Sequence, residues 1–404
     1  MTVTDPGTLP ALFPATPPLL TLGEPRLLAA APPAVPSRDR AWLVHAATDV
    51  RLLGRGGAAF PVARKLASVP LGARVLVNAS EGEPASFKDR ALMRHSPDLV
   101  VAGIRLVAAA LGSGRPAVVA VEDEPSAQAL AQAAGRAGAE LDVRLTRHGF
   151  VGGEIGALVN GMEGRAPRPD GRRVLPTERG LAGRPTFASN VETFAQLALL
   201  SALGPAGYAA VGPAHEPGTS LTTVLGATPV NGVVEVPHGT ALRDLVGHDD
   251  GPVLVGGYHG TWAVPTGARV SRVELRERAI GWGAGVLAVL PADTCPVAEV
   301  ARVTDWLAEA SARQCGPCVF GLRAVADDVQ ALAQARPVDL ERLQARVGMV
   351  RGRGACHHPT GATGFVASAL TVFAEDVARH RAGHHCGRAD LGVLPTTHTT
   401  GGVR

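Results

Sequence analysis

A chain of 404 residues with 46% apolar content is long enough to bury the cores of two or three domains, which excludes a chain disordered throughout. Its formal charge of +3 is spread among alternating basic and acidic residues, so nothing calls for a nucleic-acid partner. Cys295, Cys315, Cys318, Cys356 and Cys386 make an odd count with no secretory signal ahead of them, against a disulfide framework. No apolar run approaches the ~18 residues that span a bilayer. The expected location is therefore cytoplasmic, or peripheral on the inner face of the cell membrane.

In chain order, residues 1–40 are rich in Pro and Ala and read as an extended arm without a core of its own. Residues 41–206 alternate helix and strand: a helix after Pro61, a strand over 73–78, a helix over 97–111 and a strand over 116–121. This is an α/β domain. Residues 207–290 read as strands over 221–225 and 233–236, a short helix over 241–246 and a strand over 253–255, a small β-grasp-like domain. From 291 to 383 the chain is Ala-rich and amphipathic, with helices over 297–311, 321–335, 338–350 and 364–381. Four of the five cysteines fall in this helical domain, and the Thr/Gly-rich residues 384–404 read as a flexible tail.

The chemistry gathers in a few segments. Gly54, Arg55, Gly56 and Gly57 form a glycine loop that runs through Phe60 to a helix carrying Lys65, so that backbone N–H groups can approach a phosphate that Arg55 also neutralises. Lys65 and Lys88 are the only lysines, and both lie in such segments. Asn78, Ser80, Glu81 and Glu83 follow a strand end, where open α/β sheets bind ligands. Phe150, Gly153 and Glu154 precede one helical stretch, and Ser189, Asn190 and Thr193 start another. Cys315-Gly316-Pro317-Cys318, followed about 40 residues on by Cys356-His357-His358, suits a metal or a cluster: an iron–sulfur site, or zinc held by three cysteines and a histidine. A Rossmann-type reading of the glycine loop is weakened by the poor strand before it.

Taken in order, these segments resemble the NADH-binding flavoprotein (F or 51 kDa-type) subunit of respiratory NADH:quinone oxidoreductase, complex I, in a divergent form. Leu53 to Pro61 looks like the family's Arg-Gly-Arg-Gly-Gly-Ala-Gly-Phe-Pro, and its following lysine falls on Lys65. Asn78 to Arg90 is similar to its Asn-Ala-Asp-Glu-Gly-Glu-Pro segment, Glu163 to Arg165 to its Glu-Gly-Arg, and Ser189 to Thr193 to its Asn-Asn-Val-Glu-Thr. The resemblance covers about residues 50 to 380. It implies an α/β FMN- and NADH-binding domain, a β-grasp domain and a helical iron–sulfur domain. By the same resemblance the glycine loop, Lys65, Asn78, Gly153, Glu154 and Asn190 would surround FMN, and Phe60, Lys65, Glu81 and Glu83 would face NADH. Cys315, Cys318 and Cys356 would hold a 4Fe–4S cluster.

Departures from the family qualify what is implied. Phe150-Val151-Gly152-Gly153-Glu154-Ile155-Gly156 stands where the family reads Tyr-x-Cys-Gly-Glu-Glu-Thr, Ser80 replaces an aspartate, and Leu175 replaces an aromatic. Ala312 occupies the place of the first cluster cysteine. Three thiolates could hold a 3Fe–4S cluster, or a 4Fe–4S cluster with a fourth ligand from Cys295, Cys386, His357 or His358. The expected activity is hydride transfer from NADH to FMN, then single electrons to the cluster and on to a ferredoxin, a thioredoxin-like iron–sulfur subunit or a membrane reductase. The alternative is a structural subunit that keeps the fold and has lost the relay.

Overall fold

The computed structural model describes residues 17–146, 149–171 and 174–396; residues 1–16 of the expected arm and 397–404 of the expected tail lie outside them. The chain begins with a short strand, β1 (Leu19–Thr21), and then enters the α/β unit. Here α1 (Arg40–Asp49) starts at Asp39, whose carboxylate accepts the Trp42 amide at 2.7 Å. There follow α2 (Val62–Ser68), β2 (Arg74–Ala79), α3 (Lys88–His95), α4 (Pro97–Ala110), β3 (Ala117–Val121), α5 (Glu124–Arg136) and β4 (Leu141–Leu145). After α6 (Gly149–Gly152) and α7 (Ile155–Met162), β5 (Thr186–Asn190) leads directly into α8 (Val191–Ala209).

The four strands form a parallel sheet in the order β4-β3-β2-β5. Both faces are covered, which is why the strands read as apolar runs instead of alternating. Val75 and Val77 of β2 pack with residues of α1, α4 and α8, while Leu76 packs with Leu158 and Val159 of α7. Gly103 lets α4 approach α8: a Cβ there would lie 2.0 Å from the Phe194 carbonyl oxygen. From β2 the chain goes to β3 on one side and returns as β5 on the other, so the strand order reverses between β2 and β5. Ligands in open α/β sheets bind at the carboxyl end of such a reversal.

The second unit holds β6 (Thr219–Gly226), β7 (Gly232–Pro237), α9 (Arg243–Val246), β8 (Val253–Val255), β9 (Thr261–Ala263), α10 (Arg272–Glu277) and β10 (Val286–Val289). Its six-stranded sheet has the order β1-β7-β6-β10-β8-β9, with β6 and β7 antiparallel and β10 parallel to β6. β1 pairs parallel with β7 and covers its edge. The arm is held there by Glu235, 1% exposed, whose carboxylate accepts the amides of Arg26, Leu27 and Leu28 at 2.9 to 3.0 Å. Sequence reading found no strand in the arm because the pairing uses backbone groups, which leave no side-chain pattern.

The C-terminal unit is helical: α11 (Pro296–Glu309), a π-helical turn over Pro317–Leu322, α12 (Arg323–Ala333), α13 (Leu340–Val350), α14 (His358–Val372) and α15 (Ala374–Arg381). The single helix expected over 364–381 begins six residues earlier and breaks at Phe373. Residues 384–396, expected to be part of a flexible end, are packed. Thr294 bridges Ala389, and the buried Glu299 of α11 accepts the amides of Val393 and Leu394 at 2.7 and 3.2 Å. A buried carboxylate needs such donors, and the returning chain supplies them. No described helix is long and apolar enough to cross a membrane.

Candidate functional site

Asn78, the residue before the end of β2, and Asn190, the last of β5, are register partners. Both face the same task of fixing a loop at the carboxyl edge of the sheet. The Asn78 side-chain amide donates to the Gly153 carbonyl at 2.8 Å, and its oxygen accepts the Ser80 amide at 3.2 Å. Asn190 caps α8 by accepting the Glu192 amide at 2.9 Å and donates to Asp89 at 2.6 Å. The loop after β2 is drawn over the start of α3 by Glu81, which accepts the Asp89 and Arg90 amides, the Ser86 hydroxyl at 2.6 Å and Arg90 Nε at 3.1 Å. Burial opposes the Glu81 charge, but Arg90, Lys88 and Ser86 together hold its carboxyl below the usual range.

These loops enclose a cavity of about 360 Å³, lined among others by Arg55, Gly56, Gly57, Asn78, Ser80, Glu81, Glu83, Phe150, Gly153, Glu154 and Asn190. A second cavity of about 560 Å³ adjoins it, sharing Gly57, Glu83, Phe150, His259, Ala284 and His357. Thus eleven of the sixteen residues expected to bind a cofactor or NADH meet at one cavity. The other five do not line it. Gly54 closes the glycine loop by donating to the Phe60 carbonyl at 2.9 Å, and Thr193 Oγ1 accepts the Arg55 amide at 2.9 Å. Ser189 is buried in β5, Lys65 donates to the Ala188 carbonyl at 3.0 Å, and Phe60 is 44% exposed under the Arg64 guanidinium.

The glycine loop carries strain at Ala59, whose φ of +47° is the left-handed region and whose counterpart in the motif is glycine. Arg55 departs from a phosphate-facing role, because its guanidinium turns into the interior. It donates to the Thr219 carbonyl at 3.0 Å, and its Nε lies 3.7 Å from Glu192. A ligand phosphate at this loop would meet the backbone amides before it met that head group.

Sequence reasoning singled out Lys88 but not the ion cluster it forms at the cavity. Lys88 bridges Asp89 at 2.7 Å and Glu192 at 3.1 Å with all three groups buried. Burial disfavours the ammonium, but Asp89, Glu192 and Glu81 more than offset it and raise its pKa. Asp89 is itself raised to about 6, chiefly by burial. Glu83 leaves this cluster for the second unit, where it accepts the Tyr258 amide at 2.8 Å; burial pushes it up to about 7.

A histidine pair closes the side of the cavity toward the helical unit. His358 Nε2 stands 2.9 Å from the Leu307 carbonyl, which only accepts, so His358 is protonated there and its Nδ1 accepts from His259 Nε2 at 3.0 Å. Burial lowers His358 to about 4, so its ring is neutral, while His259 forms the exposed outer half of the pair. Phe150 meets both rings edge-on, and Gly361 makes room: a Cβ there would lie 2.3 Å from His259 Cγ.

Cys356 also lines the cavity. Its neighbour across the helical unit is Cys318, in the π-helical turn, which lies beside Cys315, Cys356 and Ser311; burial pushes the Cys318 thiol up to about 12. The three expected ligands are therefore brought together, next to the cavity. Cys295 and Cys386 are not with them. They meet His380, which contacts Leu332 at the far end of α12 from Cys318, roughly 20 Å along the helix. Of the four candidates for a fourth ligand, His358 has both nitrogens engaged, and His357 lines the cavity beside Cys356.

Comparison with known proteins agrees in both parts of the chain. Residues 47–199 match the family model described as Nuo51 FMN-binding domain, and residues 298–380 match that of the NADH-ubiquinone oxidoreductase-F iron-sulfur binding region. The chain is 26% identical over 356 residues to the mitochondrial NADH dehydrogenase [ubiquinone] flavoprotein 1 of Dictyostelium discoideum, covering 79% of this chain and 74% of that one. It is 27% identical over 355 residues to the mitochondrial NADH-ubiquinone oxidoreductase 51 kDa subunit of Aspergillus niger, covering 78% and 71%. A solved NAD+-reducing NiFe hydrogenase superposes with a TM-score of 0.80 at 28% identity, covering 92% of this chain and 68% of the other.

Proposed function

Because this chain belongs to the F or 51 kDa-type flavoprotein family, we propose that it is the electron-input subunit of a redox complex, an NADH:acceptor oxidoreductase that uses FMN and an iron–sulfur cluster. The observation that carries this reading is the placement of Cys356 on the wall of the same cavity that Asn78, Asn190 and the glycine loop enclose. A flavin site and a thiol cluster are then contiguous.

The residues present fit both groups. A cavity of about 360 Å³ beside one of about 560 Å³ gives two adjoining spaces of the size that small-molecule sites occupy, one for a flavin and one for a nicotinamide. Backbone amides of Gly56 and Gly57 would take the FMN phosphate, and Asn78, Ser80 and Glu154 would meet the ring edge. Glu83, His259 and Phe150, which border both cavities, would position the nicotinamide. Cys315, Cys318 and Cys356 would hold a 4Fe–4S cluster, with 3Fe–4S the outcome if no fourth ligand joins. Bound FMN supplies the conversion of a two-electron hydride into single electrons. The chain's part is to hold the reactants together, with Phe150 and the buried His358 packed along the cavity wall.

We read the second unit as β-grasp-like, on the support of a hairpin, a short helix and a central parallel pair, β6 and β10. The domain limits 41–206, 207–290 and 291–383 follow that reading. The acceptor proposed is a ferredoxin, a thioredoxin-like iron–sulfur subunit or a membrane reductase, and the proposed location is the cytoplasm.

The test is a visible spectrum of protein expressed anaerobically with iron and riboflavin, before and after NADH. Flavin bands that bleach, over a cluster shoulder that fades with them, are expected. A preparation without flavin would overturn the reading and favour a structural subunit.

A further inference from the structure

Cys295, His380 and Cys386 lie outside the site described above, yet they converge from three parts of the helical unit. Cys295 is the N-cap of α11, His380 is in the last turn of α15, and Cys386 is in the segment that follows. Their two Sγ atoms and the imidazole nitrogen all lie within 4.8 Å of one another, and Cys295 Sγ is 3.6 Å from His380 Nε2. In a tetrahedral zinc site, with Zn–S of about 2.3 Å and Zn–N of about 2.0 Å, ligand atoms are about 3.5 to 3.8 Å apart. Small side-chain adjustments would therefore complete the geometry.

The orientation of His380 is the second observation. Its Nδ1 is 3.2 Å from the carbonyl oxygens of both Leu332 and Ala333, which can only accept, so Nδ1 carries the proton. Its Nε2 therefore carries the ring's lone pair, which accepts the Cys386 amide at 3.3 Å, a bond a metal would displace, and faces the Cys295 thiol. An imidazole fixed through one nitrogen to backbone carbonyl, with the other directed at two thiols, has the arrangement of a metal-ligating histidine. His380 is 1% exposed and Cys295 2%, so the ring is held in place by packing. The Ala298 amide donates to Cys295 Sγ at 3.4 Å and so fixes the sulfur at the start of α11.

We propose that Cys295, His380 and Cys386 bind a zinc ion that fastens the returning chain to the helical unit. Two sulfurs and an imidazole select zinc over hard cations. Zinc would replace the protons of the two thiols. The fourth position would go to water or to a rotated His385, whose ring centroid is 5.6 Å from that of His380. The ion joins the start of α11, the end of α15 and the segment whose Val393 and Leu394 amides satisfy Glu299. Its role is structural and separate from the cluster, roughly 20 Å away along α12.

Zinc and iron are measured by elemental analysis in the full chain and in variants. One zinc per chain is expected, lost in His380→Ala and in Cys386→Ser, whose site is half-buried and whose fold is less at risk. Cys356→Ser should lose iron and keep the zinc, which separates this site from the cluster. Cobalt added to the metal-stripped protein should give thiolate charge-transfer absorption that Cys386→Ser abolishes. Zinc retained in both His380→Ala and Cys386→Ser, zinc lost with Cys356→Ser, or a Cys295–Cys386 disulfide revealed by two missing thiols in the unreduced protein would each overturn the proposal.

Discussion

Glu83, at the carboxyl edge of the parallel sheet, accepts the backbone amide of Tyr258 in the neighbouring unit at 2.8 Å, so this buried carboxylate is one of the ties between the two. Burial raises it from an ordinary 4.5 to about 7. The folded state therefore holds this proton to higher pH than the unfolded chain does, and stability falls as pH rises from about 4.5 to about 7. Glu122, raised to about 7 by burial, titrates in the same window. Glu83→Gln keeps an acceptor for Tyr258 and should remove part of that slope, measured as melting temperature against pH. An unchanged slope would show that Glu83 is ionised throughout.

Ala59 sits at φ +47° where the family motif has glycine. Ala59→Gly should relieve strain worth about 1 kcal/mol, offset in part by the greater freedom of glycine in the unfolded chain. Urea denaturation is the measure, and a net stabilisation without loss of flavin is expected.

Arg55 reaches the Thr219 carbonyl and Glu192 from beneath the glycine loop. Arg55→Ala should destabilise the protein by about 3 kcal/mol, the scale of breaking a buried pair, and the loss should appear in flavin-free protein as well. Were the guanidinium a phosphate ligand alone, the melting temperature of flavin-free protein would not move.

Asn190 donates to Asp89 at 2.6 Å and caps α8. Asn190→Asp keeps the cap but sets two carboxylates together, and Asp89 is raised to about 6 by burial. The variant should be weakened at pH 8 and recover toward pH 5, as protonation removes the repulsion. Equal destabilisation at the two pH values would argue that geometry, not charge, is at fault.

Ala312 follows Ser311, which lies beside Cys318, and replaces the first cysteine of the motif. Ala312→Cys should raise the iron content of anaerobically prepared protein from a three-iron to a four-iron cluster, if the native site lacks a fourth ligand. Iron analysis with electron paramagnetic resonance distinguishes the two. No change would show that the native site already has its fourth ligand.

Much of this was legible in the residues. Strands β2, β3 and β6 to β8 and helices α4 and α11 to α13 declare themselves by apolar runs or helical periodicity, and Asn78, Glu81, Glu154 and Asn190 sit at one cavity as their motifs suggest. Arg55 and Glu83 could be placed there but their partners Thr219 and Tyr258 could not, because the direction of a long side chain depends on what the second unit presents. β1 has no side-chain signal, since its pairing is backbone to backbone. The Cys295, His380 and Cys386 group spans 92 residues in sequence, and only the antiparallel course of α11 and α12 separates it from the other three cysteines.

The ties across the first two units also govern how the molecule melts. Glu83 to Tyr258, Arg55 to Thr219, Glu192 to the Leu221 amide and Thr223 to the Phe87 amide are all buried. Pulling the units apart would strand these polar groups together, so neither has a cheap way to open by itself. Calorimetry should therefore record one cooperative endotherm for residues 41–290, and a fragment trimmed to the parallel sheet alone would be a poor folder.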